Sequence, residues 1–214
     1  MARPMIDLYS MGTPNGVKAS IALEELELPY TLHRINIMKG DQNTLEYRKI
    51  SPNGKIPAIV DGDAPGGPLR IMESGAILIY LARKAGQLFP ADAHTESQVL
   101  QWLFFQVGHV GPMFGQFGHF KRFAGDKCDH PYPLERYRAE SERLLGVLDA
   151  RLAGRKWLVD DYSIADIATC PWVGALDFYD GTEDVGLSKF ENVLRWKSAF
   201  EARPAVQRGV AAVS

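Results

Sequence analysis

Two cysteines in 214 residues are too few for a disulfide framework, and their contexts differ: Cys128 sits in the polar stretch GDKCDHP, Cys170 in the apolar ATCPWV. Neither a disulfide-stapled scaffold nor a cysteine-based metal site fits that usage. Net charge is also small. With a formal net charge of −2 and no long run of lysine or arginine, the chain lacks the clustered cations that displace counterions from phosphates, so no nucleic-acid partner is expected. No uninterrupted apolar run reaches membrane-spanning length, and MARPMIDLY has neither an h-region nor a small-residue cleavage site. The expectation is a cytoplasmic protein with no membrane partner. His109 and His119 are too far apart for one helical turn and have no acidic partner at ligand spacing, so no metal is assigned.

The apolar fraction, 46%, is enough for a substantial core, and its pattern divides the chain. Met5 to Tyr9 reads as a buried strand. After the turn SMGTPNGV, Ile21, Leu23, Leu26 and Leu28 suit a helix that Pro29 ends. Tyr30 to Ile37 alternates as a strand does, Gly40 to Ile50 is a short irregular helix, and Ala58-Ile59-Val60 centres a further strand. The turn-rich DGD and GGP then point to Leu69–Met72 as its antiparallel partner, and a helix runs from Ser74 to near Gly86. The order βαβ-α-ββα fits a small α/β, thioredoxin-like domain over 1–86.

Residues 87–95 read as a linker, and beyond them strand signals vanish. Leu100, Leu103, Phe104 and Val107 share one helical face; Leu144, Leu145, Leu148 and Leu152 share another; Phe190, Val193, Leu194 and Phe200 share a third. Ser163 and Asp166 have capping-box spacing. The aromatic-rich QWLFFQVGHVGPMFGQFGHFKRF should be a helix kinked around Gly111-Pro112, with Phe114, Phe117 and Phe120 as either core or pocket lining. An all-α domain over 96–214 follows.

The turn between the first strand and helix carries the chemistry. Thr13 can cap the helix, Pro14 suits its first position, and the amides that follow are orphan donors favouring an anion. A thioredoxin-like unit would place a Cys-x-x-Cys pair here, where the positive helix end lowers a thiol pKa. Thr13 and Gly16 occupy those positions, so any sulfur must arrive with a ligand. Ile56-Pro57 is well placed for a cis bond that turns the Ile56 backbone outward toward an extended peptide-like ligand. Glu73-Ser74 opens a helix with a carboxylate beside a hydroxyl, enough to meet the ammonium and carboxylate of one amino-acid group.

Taken in order, LYSMGTPNGVKASIALEELELPY, SPNGKIPAIVD, MESGAILIYLA, YSIADIA and EARPAV resemble a cytosolic glutathione transferase over essentially the whole chain. The TPNG turn, QWLFFQVGHVGPMFGQ and LERYRAESERLLGVLD further resemble the nu-class branch, which includes bacterial disulfide-bond oxidoreductases. The resemblance implies glutathione as co-substrate, glutathione disulfide as bound product, and a homodimer. It implies that Thr13, through its hydroxyl, and Asn15, chiefly through its N–H, flank the glutathione sulfur. The Ile56 main chain would pair with the cysteinyl part, Glu73 and Ser74 would hold the γ-glutamyl end, Gln42 and Lys55 would lie toward the glycyl carboxylate, and Arg136 would reach the ligand from the helical domain. Tyr9 and Ser10 match positions used for the sulfur in other classes; in the nu-class pattern the TPNG turn replaces them. The reaction implied is glutathione-dependent disulfide reduction. Conjugation of glutathione to small electrophiles needs the same site, and a non-catalytic glutathione carrier or regulator is the third reading.

Overall fold

The structure, a computed structural model, describes residues 5–214. The chain folds as two compact units: 5–89 together with Arg203–Ser214, and Pro90–Ala202. No helix among the described residues is long and apolar enough to cross a membrane.

The first unit runs β1 (Ile6–Ser10), α1 (Gly16–Glu25), β2 (Tyr30–Arg34), a 3₁₀ turn at Asp41–Asn43, α2 (Leu45–Arg48), β3 (Ala58–Asp61), β4 (Leu69–Met72) and α3 (Ser74–Ala85). The sheet order is β2-β1-β3-β4, with β1 parallel to β2 and antiparallel to β3, and β3 antiparallel to β4. In β1 the alternation buries Ile6, Leu8 and Ser10 and leaves Asp7 and Tyr9 half-buried. Leu8, Ile59, Ile21, Leu23, Ile77, Leu78 and Leu81 are fully buried, each worth about 1.5–3 kcal/mol of burial.

The second strand ends at Arg34, short of the expected Ile37. There the Asn36 side chain accepts from the amides of Met38 and Lys39, and Asp41 accepts from Asn36 N, a local turn that outcompetes the ladder. The Ile56–Pro57 bond is cis. Gly86, with φ 68, closes α3.

The second unit holds α4 (Ala93–Phe105), α5 (Gly111–Gly118), α6 (Pro131–Leu152), α7 (Ile164–Phe178) and α8 (Glu191–Glu201). Helix α4 starts inside the expected linker because Asp92 accepts from Thr95 N at 2.9 Å. Of the first expected stripe, Leu103 is buried while Phe104 and Val107 are exposed. The expected kink takes the form of a π-helical turn at Gln106–Val110, just before Pro112. A wide turn there accommodates a proline that lacks an N–H and crowds the preceding carbonyl. Another such turn covers His119–Phe123.

The Ser163–Asp166 capping box forms. The buried Asp166 carboxylate also accepts from Leu158 N (3.0 Å) and the Trp196 indole (2.8 Å). Burial pushes Asp166 up to about 6, against the pull of these donors.

The last helix, α9 (Pro204–Val213), departs from the expected 96–214 domain and packs on α1. Ser20 Oγ donates to Gly209 O at 2.7 Å, and a Cβ on Gly209 would lie 2.5 Å from Ile21 Cα. Arg203 grips Glu25 with two bonds, Arg208 pairs with Glu24, and Arg34 donates to the Ala212, Val213 and Ser214 carbonyls. An amphipathic pattern shows that a helix face is buried, not which unit buries it.

Candidate active site

Tyr9, Ala58 and Met72 lie in one row across β1, β3 and β4. The chain leaving β1 (Ser10 to Gly16), the chain entering β3 (Lys55 to Pro57) and the chain leaving β4 (Glu73-Ser74) therefore gather at one end of the sheet. Parallel β2 sends its following loop, with Gln42, from that end as well.

At the turn, Thr13 Oγ1 accepts from Gly16 N at 3.0 Å and Thr13 O accepts from Val17 N at 3.0 Å, so α1's bonding begins at Thr13. Because the hydroxyl oxygen accepts from inside the turn, its own proton remains to be donated. Gly16 is sterically required: a Cβ there would sit 2.0 Å from Met11 O and 2.8 Å from Ser10 Oγ. Ser10 is fully buried and donates to Gly16 O at 3.1 Å, a structural bond that keeps it from any ligand. Tyr9 points to the opposite face, its ring stacked on His33 (4.6 Å) and tilted against Tyr47.

Across the site, the Lys55 carbonyl is held by the Tyr47 hydroxyl and Ser51 Oγ, both at 2.8 Å. Burial pushes Tyr47 up to about 12, so it stays a donor at neutral pH. Ile56, half-buried beside the cis bond, has N–H and C=O groups that no described residue engages. They can pair with an extended ligand as an edge strand does.

Glu73 precedes α3 at φ 69, a left-handed conformation unusual for a side chain with Cβ, and its carboxylate accepts from Asn53 Nδ2 at 3.2 Å. Ser74, half-buried, begins α3. The Gln42 amide nitrogen donates inward to Ile37 O, and Oε1 is buried without a partner among the described residues. The second N–H of that amide is the donor Gln42 can offer a carboxylate. Gly54, whose Cβ would lie 3.2 Å from Gln42 O, brings Lys55 beside Gln42, and Lys55 is exposed.

Arg136 belongs to the helical unit and is exposed on α6. Phe114 and Phe117 are fully buried, which makes them core and removes them as pocket lining, whereas Phe120 is half-buried and stacked on Tyr137. Among the described residues no three His, Cys, Asp or Glu side chains gather as a metal site.

Two features were missed in the sequence. Asn53 orients Glu73. Lys18, 1% exposed, sits beneath Ser74 with Nζ 3.5 Å from Ser74 Oγ. The available signal was its spacing: Lys18 shares the buried face of α1 with Ile21 and Ala22.

The glutathione S-transferase N-terminal domain family matches residues 13–84 and the corresponding C-terminal domain family residues 129–204. The chain belongs to the glutathione S-transferase family. Its relatives include the disulfide-bond oxidoreductase YfcG of Escherichia coli, 47% identical over 94% of this chain and 92% of that protein. A glutathione transferase from Pseudomonas putida, solved with one glutathione disulfide per subunit, superposes with TM-score 0.95 at 50% identity, covering 97% of this chain and 91% of that one. A family member from Pseudomonas fluorescens, solved with two glutathiones, gives 0.94 at 52% identity over 97% and 92%. The expected transferase architecture is present throughout this glutathione transferase.

Proposed function

We propose that this glutathione transferase is a disulfide-bond oxidoreductase of nu-class type, a cytoplasmic homodimer that uses glutathione in place of a catalytic cysteine. Thr13 donates its hydroxyl proton to the sulfur and Asn15 its N–H, so the bound thiol ionises at neutral pH. The thiolate attacks one sulfur of a substrate disulfide, forming a mixed disulfide and expelling the other sulfur as a thiolate that takes up a proton. A second glutathione thiolate attacks the glutathionyl sulfur of that mixed disulfide, releasing glutathione disulfide and the second substrate thiol.

Ile56 aligns the cysteinyl backbone. Glu73 and Ser74 take the γ-glutamyl ammonium and carboxylate, and Gln42 and Lys55 face the glycyl carboxylate. Holding both sulfurs in line replaces a bimolecular encounter by a positioned one. The exposed Phe104 and Val107 on one helical unit support burial of that face in a homodimer.

The observation that carries this reading is the turn itself: a capping threonine whose hydroxyl proton is available, at a helix N-terminus that contains no cysteine. Of the protein's own thiols, Cys170 is poorly suited: it is buried, and burial pushes its thiol well above the ordinary range. The binding of glutathione and glutathione disulfide by the Pseudomonas relatives, and the disulfide activity in the name of the E. coli relative, support it further.

The test follows one protein batch through glutathione-dependent reduction of 2-hydroxyethyl disulfide and conjugation of chlorodinitrobenzene. Dominant disulfide turnover is expected. Dominant conjugation would make this a conjugating transferase, and glutathione binding without either turnover would make it a carrier.

A further inference from the structure

Three charged side chains are fully buried among the described residues: Asp61, Asp166 and Lys18. The two acids are ringed by donors that tie elements together. Asp61 takes Lys84, the Tyr80 hydroxyl and Asp63 N; Asp166 takes the donors described above.

Lys18 is different. It stands on α1, where its amide bonds Asn15 O at 3.3 Å, and its ammonium reaches α3 to donate to the Ser74 hydroxyl at 3.5 Å. One residue thus joins the turn proposed for the glutathione sulfur to the helix start proposed for its γ-glutamyl end. Burial pushes the Lys18 ammonium well below the ordinary lysine range, a free-energy cost a methionine of similar length would avoid.

We propose that Lys18 is a positioning residue for the γ-glutamyl carboxylate of glutathione, acting through Ser74. The Nζ–H bond occupies a lone pair of Ser74 Oγ, so the hydroxyl proton is directed away from Lys18 and outward to the carboxylate. Recognition of an α-carboxylate at that end of the ligand therefore depends on a side chain that does not touch it. This inference rests on the glutathione reading of the site.

Calorimetry on the full-length protein tests it, with two ligands: glutathione, and the analogue γ-aminobutyryl-cysteinylglycine, which lacks only the γ-glutamyl carboxyl. Wild type is expected to favour glutathione clearly. Lys18→Met should weaken glutathione by about tenfold or more and leave the analogue unchanged. Combined with Ser74→Ala, it should cost less than the sum of the two single changes. Equal glutathione affinity in Lys18→Met, an equal loss for both ligands, or full additivity would overturn the role of Lys18.

Should Lys18→Met fail to fold, the Lys18 ε-carbon resonance of lysine-labelled wild type decides instead. It should move on adding glutathione and not on adding the analogue, and an equal response to both would overturn the proposal. Wild type that binds neither ligand would overturn the glutathione reading itself.

Discussion

Replacing Thr13 by valine keeps the branched shape and removes only the hydroxyl, which has two jobs with separable readouts. As a cap, Oγ1 satisfies the Gly16 amide at 3.0 Å. Losing it should cost about 1 kcal/mol, hence about 2–4 °C in melting temperature for a chain of this size. As a donor to sulfur it makes a hydrogen bond to a charged acceptor, worth about 1.5–3 kcal/mol. That corresponds to about one to two pKa units on the bound thiol and about 10- to 100-fold in turnover at fixed pH below the new pKa.

The assay is a pH titration of the ultraviolet thiolate absorbance of the glutathione complex, alongside disulfide reduction. Valine should move the thiol pKa up, and Thr13→Ser should bring it back. A valine variant that melts earlier but titrates and turns over like wild type would reduce Thr13 to a helix cap. The sulfur would then need another donor.

Three further outcomes follow from the fold. Asp166→Ala strips a buried carboxylate from the Leu158 and Ser163 amides and the Trp196 indole and should cost about 3–5 kcal/mol by chemical denaturation; a loss below about 1 kcal/mol would contradict the network. Gly209→Ala forces a methyl to 2.5 Å from the Ile21 backbone and should cost about 2 kcal/mol or more, read in the same assay; an unchanged midpoint would mean α9 is not seated on α1. At Asp61, burial raises the pKa but Lys84, Tyr80 and Asp63 N outweigh it, and the net shift is downward. The unfolded carboxylate therefore protonates first as pH falls, and the stabilisation is full above the ordinary carboxylate pKa and lost on acidification below about pH 4. Asp61→Asn should be less stable than wild type at pH 7, with the gap closing below about pH 4; a gap independent of pH would refute the assignment.

Local chemistry made much of this legible. Thr13-Pro14 could be read as a cap followed by a first helical residue, Ile56-Pro57 as a cis bond, and Ser163 with Asp166 as a capping box, because each depends on a few adjacent residues. What depends on distant partners was harder to read. The apolar stripe of α9 gives no sign that it packs on α1, since periodicity marks a buried face without naming its cover. Phe114, Phe117 and Phe120 look alike in sequence, and only packing separates two core rings from one half-buried ring. Lysine is ordinarily a surface residue, and the burial of Lys18 beside Ser74, far along the chain, is visible only in the fold. The segments proposed for the site could be named from the order of the motifs. The bonds that orient its members could not, since Asn53 with Glu73 and Tyr47 with Lys55 meet only in the fold.

The central claim is that the reacting sulfur belongs to glutathione and not to the protein. The chain has two cysteines, Cys128 and Cys170, so the direct measurement is disulfide reduction by the cysteine-free Cys128→Ser, Cys170→Ala protein. The account predicts that, once folded, it reduces 2-hydroxyethyl disulfide with glutathione at a kcat/KM within about twofold of wild type, with glutathione disulfide as product. Loss of that turnover in a folded cysteine-free protein that still binds glutathione would place the nucleophile on the protein and contradict the account.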